Sequence, residues 1–468
     1  MSWHVLRLSI AVEFPSGAAP GAGRDGNAAF VSRDGSGAPL LRGSALAGVL
    51  RHEWVERFDR SKADADHWFG HATTESAGQP SRIGVHDLRI EQGSNATETR
   101  MHNAIDRHTG APIYGGLFSI ESIAPRASGA LRLTVRAVDA ELEDAKQLLS
   151  EIGGLLESGI TVGGSASRGL GLLRQRTDGE SRVRIFDLTK LDDHGAWLDE
   201  RHSQNRSGAK PPTDGSAIKS VRPTNRTVLD VQLRLPRGQD MLIGGDSGLD
   251  ASIEPQRIRG ADGSTLLRFP GSAFRGVMRK WVARLAVREG HTVRDSHARA
   301  AARSRDDKVC GADLGWGYAT ADERARFRQD PSAVGCPVMS LFGSLYAKGR
   351  VHIADAIASD TSGLVQRRTH VSIDRFGGGA SNGFLFNTDV TIGIGTPNRE
   401  LSLRIELENP SSDEARWMAQ TIKAIDLGVL RVGSSKASGR FEVASIKANG
   451  PHAELFANIG ARGANSNG

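Results

Sequence analysis

Two Gly-rich stretches carry residue types suited to a phosphate backbone. In TVGGSASRGLG (161–171), Gly163, Gly164 and Gly169 permit close backbone approach, while Ser165, Ser167 and Arg168 supply donors. A second stretch offers the same chemistry through Gly433, Ser434, Ser435, Lys436 and Gly439. Gly43–Ser44 and Gly271–Ser272 each precede an apolar periodic run, so they open helices whose first N–H groups can face phosphates. A serine hydroxyl capping its own helix accounts for the same residues. A plain turn between a helix and the last strand accounts for the Gly-rich loops.

Internal repetition separates these readings. GSALAGVLR (43–51) returns as GSAFRGVMR (271–279), and MHNAIDRHTG (101–110) returns as THVSIDRFGG (369–378). The loop at 161–171 returns as RVGSSKASGRF (431–441), and WFG with SRIGVHDLRI (68–90) returns as LFG with GRVHIADAIA (341–358). Four collinear blocks mean a duplicated unit. In the third pair Asp106 and Arg107 recur as Asp374 and Arg375, with His102 and His370 four residues before each Asp. The arginines suit RNA contact; a turn-holding Asp with a solvated Arg is the plainer alternative.

The elements that must position these residues are α+β. Strand-like alternation (LRLSIAV; TVLDVQLRL) comes first, then a Gly- and Asp-rich loop, then the helix opening at Ser44 or Ser272. A second helix in each unit (ELEDAKQLLSEIGGLLE; SSDEARWMAQTIKAIDLG) precedes the Gly-rich loop. Two helices on one face of an antiparallel sheet is the ferredoxin-like, RRM-like arrangement. The expected organisation is a first domain over 1–186, a polar linker over 187–225, a second domain over 226–450 with an insertion at about 288–340, and a flexible tail over 451–468.

Composition bounds the function. The chain has 468 residues, 38% hydrophobic and 24% charged, enough for sizeable cores. Its net charge is +6, and 49 of its 60 basic residues are arginine, which forks onto phosphates and stacks on bases. A GC-rich coding sequence gives the same bias. No apolar run is long enough for a membrane span, and the alternation in MSWHVLRLSIAVEF reads as a strand and not a signal peptide. Two cysteines make no disulfide framework, so a soluble, cytoplasmic protein is expected.

The ordered set PGSAFRGVMR, IDRxxGG, LFG…GRVHIADA and VGSSKASG resembles the RAMP superfamily, specifically the tandem backbone subunits of type III CRISPR effector complexes. The likeness covers about 3–180 and 226–447. It implies two RRM-like palms that grip guide RNA (crRNA), each with a thumb hairpin wedging into the duplex with target RNA, alongside other CRISPR effector subunits and no membrane. Gly43, Ser44, Arg107, Gly163, Gly164, Ser165 and Arg168 would bind RNA in the first copy. Gly271, Ser272, Arg375, Gly433, Ser434, Ser435 and Lys436 would do so in the second.

The resemblance also implies target-RNA cleavage with Mg²⁺ or Mn²⁺ and a loop aspartate. Asp250, then Glu254, then Asp25 are the expected catalytic carboxylates, and Asp34 and Asp246 are expected to hold turns. Copy one has Ala28 where the pattern expects the acid, which suits a purely binding unit. Relatives hold zinc in the insertion; here His297, Cys310 and Cys336 are present, with Met339 in the fourth ligand's place. Two buried apolar cysteines are the alternative. A guide-processing endonuclease of the same superfamily and a catalytically silent scaffold remain the competing functions.

Overall fold

The computed structural model describes residues 2–19, 21–25, 28–72, 78–91, 96–105, 112–164, 169–177, 181–204, 215–217, 219–221, 223, 225–236, 239–242, 255–291, 293, 335–343, 349–358, 365–392, 401–433 and 439–460. The protein is mixed α+β, built on two antiparallel sheets with the same strand order. Alternation in the strand Trp3–Phe14 turns Leu6, Leu8, Ile10 and Val12 to one buried face. Ala127–Val138 and Ser181–Asp187 pair with it on either side, and Ile83–Val85 extends the sheet beyond Ala127–Val138. In the second sheet Arg226–Arg234 lies between Leu401–Glu408 and Glu442–Asn449, with Val351–Ile353 at the edge.

Each buried sheet face is covered by two helices. Gly43–Phe58 and Leu142–Ser158 contribute Leu46, Leu50, Trp54, Leu148, Leu149 and Ile152 to the first core. Gly271–Arg288 and Ser412–Asp426 contribute Phe274, Met278, Val282, Trp417 and Ile422 to the second. Each repeat also sends out a hairpin: Thr97–Ile105 with Pro112–Ile123, and Val365–Ile373 with Ala380–Thr391. The ladder is irregular at the same place in both, between Asn103 and Ile105 and between Val371 and Ile373.

The two helices with the GSA start are not capped by serine. Their N-cap residues are Arg42 and Pro270, neither with a side-chain cap, and Ser44 and Ser272 are exposed second residues. Instead a carboxylate from a distant turn accepts the first N–H: Asp87 from Gly43 at 2.6 Å, Asp355 from Gly271 at 2.9 Å. Glycine is required there by close approach. A Cβ on Gly43 would sit 2.1 Å from the Val85 carbonyl oxygen, and one on Gly271 would sit 2.1 Å from that of Ile353.

Two other expectations are corrected. The segment 187–225 is not a bare linker, because Leu191–Gln204 is a helix and Ser216–Ala217 pairs with the Ser181–Asp187 strand. Acids in its first turn, Asp192 and Asp193, suit a helix N-terminus, and Asp193 accepts the Asp187 N–H at 3.0 Å, folding the helix back on its strand. The tail packs as far as Ile459, since Phe456 is fully buried in the second core. The end of the insertion is also core: Pro337–Phe342 is helical and buries Val338, Met339, Leu341 and Phe342. Among the described residues no helix is long and apolar enough to cross a membrane.

A buried ion network ties the repeats together. Arg226 reaches Glu406 at 2.6 Å, Glu53 of the first repeat at 3.0 Å, and Glu408; Glu53 also pairs with Arg57 at 2.6 Å. Burial alone raises the Glu406 value, but Arg226, Arg404 and Arg57 overcome it and pull the carboxyl down to about 2. A depressed carboxylate stabilises the fold above its unfolded value of about 4.3, and that contribution is lost as pH falls toward the folded value. Denaturant midpoints of the parent should therefore fall between pH 5 and pH 2. Glu406→Gln should lower stability at pH 7 by about 3–5 kcal/mol and flatten the acid limb. A midpoint gap between parent and variant that is constant with pH would contradict this assignment.

Candidate RNA interface

A short segment after the first strand organises each site. In the first repeat Ala18 bridges Ile123 at the hairpin base, Ala19 bridges Gly164, and Gly17 accepts the Gly171 N–H at 2.9 Å. In the second, Met241 bridges Thr391 and Asp240 accepts the Gly439 N–H at 2.8 Å. The hairpin base and the Gly-rich loop are thus held against one strip of backbone in both copies. The acid-bearing stretch leaves the same strip. In the first repeat it forms two strands, Gly21–Asp25 and Ala28–Val31, the latter lying parallel against the hairpin strand Pro112–Ile123.

The glycines of the loops serve several purposes. Gly163 and Gly433 adopt left-handed backbone at the loop entrances, and Gly163 and Gly164 are exposed. Gly171 and Gly439 close the loops, where a Cβ would stand 2.2 Å and 1.9 Å from the Val162 and Val432 carbonyl oxygens. Gly169 permits a close approach, but to protein: a Cβ there would be 2.0 Å from the Asp355 carboxylate, and the backbone N–H of Asp355 donates to the Gly169 carbonyl. Ser165, Arg168, Ser434, Ser435 and Lys436 lie outside the described residues.

Asp355 therefore brings the first repeat's Gly-rich loop to the second repeat's helix start. Besides Gly271 it pairs with Arg100 at 2.7 Å, and Arg100 donates to the Ser16 carbonyl and pairs with Glu98. Glu98 also holds Arg268 at 3.0 Å. Burial first, and the neighbouring Arg100 cation next, push Arg268 down to about 10, so it stays charged at neutral pH. The N–H groups of Gly43 and Gly271 are consumed by carboxylates, so phosphate contact at these helix starts would fall to Ser44, Ser272 and the following amides.

The second hairpin ends in a turn built by Asp374, whose carboxylate accepts the N–H groups of Phe376 and Gly377 and is held below its usual value by those two bonds. Arg375 stands exposed beside Phe376, which is 94% exposed. The corresponding Asp106 and Arg107, and the expected carboxylates Asp250 and Glu254, lie outside the described residues. The backbone of Asp25 pairs with Ala28. Asp34 holds a turn through the N–H groups of Ser36 and Ala38. His297 and Cys310 also lie outside the described residues, while Cys336 is buried at the start of the Pro337–Phe342 helix with Met339 packed in the core. Among the described residues no group of three His, Cys, Asp or Glu is placed to hold a metal.

Sequence reasoning missed Asp87 and Asp355, Arg100, and Phe376. The two aspartates occupy the same place in the repeated blocks SRIGVHDLRI and GRVHIADAIA, which was the available signal. The Arg100 contact crosses between repeats and has no local signature.

The two kinds of loop glycine predict different outcomes. Gly169→Ala should lower the thermal midpoint by several degrees, because it strains the backbone and strikes Asp355. Gly164→Ala, whose Cβ would meet nothing nearer than 3.6 Å, should leave the midpoint nearly unchanged and report on RNA contact alone. Equal midpoints for the two variants would refute the inter-repeat role of Gly169.

The profile of the RAMP superfamily matches residues 17–174 and 242–442, one stretch in each repeat. No curated protein matches the chain. The two matched stretches cover most of the sequence, and each holds one hairpin and one Gly-rich loop. The chain accordingly belongs to the RAMP superfamily, whose membership implies a CRISPR-associated RNA-binding protein.

Proposed function

We propose that this protein is a two-unit backbone subunit of a type III CRISPR effector complex, binding guide RNA and complementary target RNA along both repeats. The observation that carries the reading is the second hairpin, a ladder twelve residues long on one strand that ends in the exposed pair Arg375 and Phe376. A fully exposed phenyl ring at a tip braced by Asp374 is unfavourable in water and suits insertion between stacked bases. The guanidinium beside it suits the adjoining phosphate. The sheet with two helices acts as an RRM-like palm, and the paired Gly-rich loops supply backbone and Ser, Arg and Lys donors to the guide.

Target cleavage is proposed at the acid-bearing stretches, with Asp250 first, Glu254 next and Asp25 in the first repeat. Carboxylate oxygens are the donors that Mg²⁺ or Mn²⁺ prefers, and the metal would stabilise charge during in-line attack by the RNA 2′-hydroxyl. The chain's own task is to hold a kinked target strand against these acids, through the strip of backbone, Gly17–Ala19 or Asp240–Met241, that meets each hairpin base. A zinc site in the insertion would need His297 and Cys310 beside Cys336.

Phe376→Ala should weaken binding of the guide-loaded protein to target RNA by about 1–3 kcal/mol, the range for one stacked base. The check is an equilibrium titration with labelled target; unchanged affinity would refute the wedge. With Mg²⁺ present, Asp250→Ala should abolish one target cut and leave binding intact, while Asp25→Ala should remove the other cut or none. Retention of every cut in the Asp25, Asp250 and Glu254 alanine variants would refute the acid assignment and favour a silent scaffold.

A further inference from the structure

The contact between the repeats joins two different surfaces, and each repeat carries both kinds. The first repeat offers the ends of its two helices: Glu53 pairs with Arg226, the Glu56 carbonyl accepts from Asn225, and the Ser158 carbonyl accepts from Arg404. The second repeat offers one end of the outer face of its sheet, where Arg226 and Glu406 are only 5% and 3% exposed. One surface of each kind is left over. These are the outer face of the first sheet and the helix ends of the second repeat.

The leftover face differs from its counterpart in chemistry. Register on the paired strands puts Trp3 where the second sheet has Arg226, and Arg136 where it has Glu406. Ser2 stands in the place of Asn225, since its carbonyl accepts from Asp139 as that of Asn225 accepts from Asn409. Trp3 is 48% exposed, and Arg136 and Asp139 are exposed beside it. The Leu191–Gln204 helix leaves this edge open, because it folds back on Ser181–Asp187, on the far side of the Trp3–Phe14 strand from Ala127–Val138.

The leftover helix ends have changed to match. The repeated blocks GSALAGVLR and GSAFRGVMR, continued along their helices, put Trp281 in the place of Glu53, Arg284 in that of Glu56 and Leu285 in that of Arg57. The turn Ser158–Gly159 becomes Leu427–Val429, with Leu427 51% and Val429 62% exposed. Arg284 lies over the Trp281 ring at 5.8 Å. Inside the chain a cation, Arg226, meets a carboxylate, Glu53. On the leftover surfaces an indole, Trp3, faces Trp281, Leu427 and Val429, and a carboxylate, Asp139, stands where Arg284 would arrive. Arg136 would meet no guanidinium, because Leu285 replaces Arg57. Clustered exposed apolar side chains of this size mark a contact surface.

We infer that a second copy of this chain docks its Trp3 face on the Leu427–Val429 helix ends, repeating between chains the junction that already joins the repeats. The contact is head-to-tail, so it leaves a further end open on each side and does not close as a twofold dimer does. The inference goes beyond the RNA-binding reading and rests on the internal junction alone.

The test is sedimentation velocity of the full chain, freed of nucleic acid, at rising concentration. The parent should associate, and Trp3→Asp and Val429→Asp should each weaken self-association about tenfold or more. An equal mixture of the two variants should recover one junction and stop at dimers, because each retains one intact end. A parent that stays monomeric, self-association that survives in either variant, or a mixture no more associated than its components would overturn the inference. Where Trp3→Asp does not fold, Trp3→Ser takes its place with the same outcomes. Titrations with guide and target read RNA binding separately, so either reading can fail while the other stands.

Discussion

The carboxylate of Asp355 is the point on which the arrangement of the two repeats depends. It accepts the first N–H of the Gly271–Arg288 helix and pairs with Arg100 of the other repeat, with both side chains almost fully buried. The backbone N–H of Asp355 donates to the Gly169 carbonyl, and the Ser16 hydroxyl donates to the Asp355 backbone carbonyl. A buried carboxylate is costly unless paired and hydrogen-bonded, and here both conditions are met by groups from the two halves of the chain. In the first repeat Asp87 performs the helix-start task alone and remains exposed. One device inherited by duplication thus gained a second task at the junction.

The junction is heterologous: a surface of the first repeat meets a different surface of the second. Beyond Asp355 it includes Arg226 against Glu53, Arg404 donating to the Ser158 carbonyl, and Asn225 donating to the Glu56 carbonyl. These contacts cover one end of the outer face of the second sheet, at Arg226 and Glu406, with the helix ends of the first repeat, while Ser402, Ser445 and Lys447 stay exposed. Among the described residues the outer face of the first sheet has no such neighbour from the second repeat; it carries the Leu191–Gln204 helix and the cross-strand arginines Arg7, Arg132, Arg182 and Arg184 instead. The same strands in the same register therefore support an interface in one copy and a cross-strand arginine cluster in the other.

Much of this was legible in the sequence. Apolar alternation in Trp3–Phe14 and Arg226–Arg234 marked the central strands, and the Gly-Ser helix starts fell where expected. The cap was misread because Ser44 and Ser272 are good local caps, whereas the actual acceptors, Asp87 and Asp355, lie in a turn far along the chain. The polar stretch after Asp187 hid a helix whose apolar content is low, since it rests on a face of arginines and is held by Glu200. The tail hid Phe456, a single aromatic anchor among small residues. Tertiary contacts, not propensity, decided each of these.

The most direct measurement of the central claim is a double-mutant cycle between Arg100 and Asp355, using Arg100→Ala, Asp355→Ala and the pair, read by denaturant unfolding of the full chain. If the two side chains hold the repeats together, their coupling free energy should be about 2 kcal/mol or more, and the single variants should be nearly as destabilised as the double. Additive effects, with coupling below about 0.5 kcal/mol, would contradict the account and leave the repeats as independently stable units.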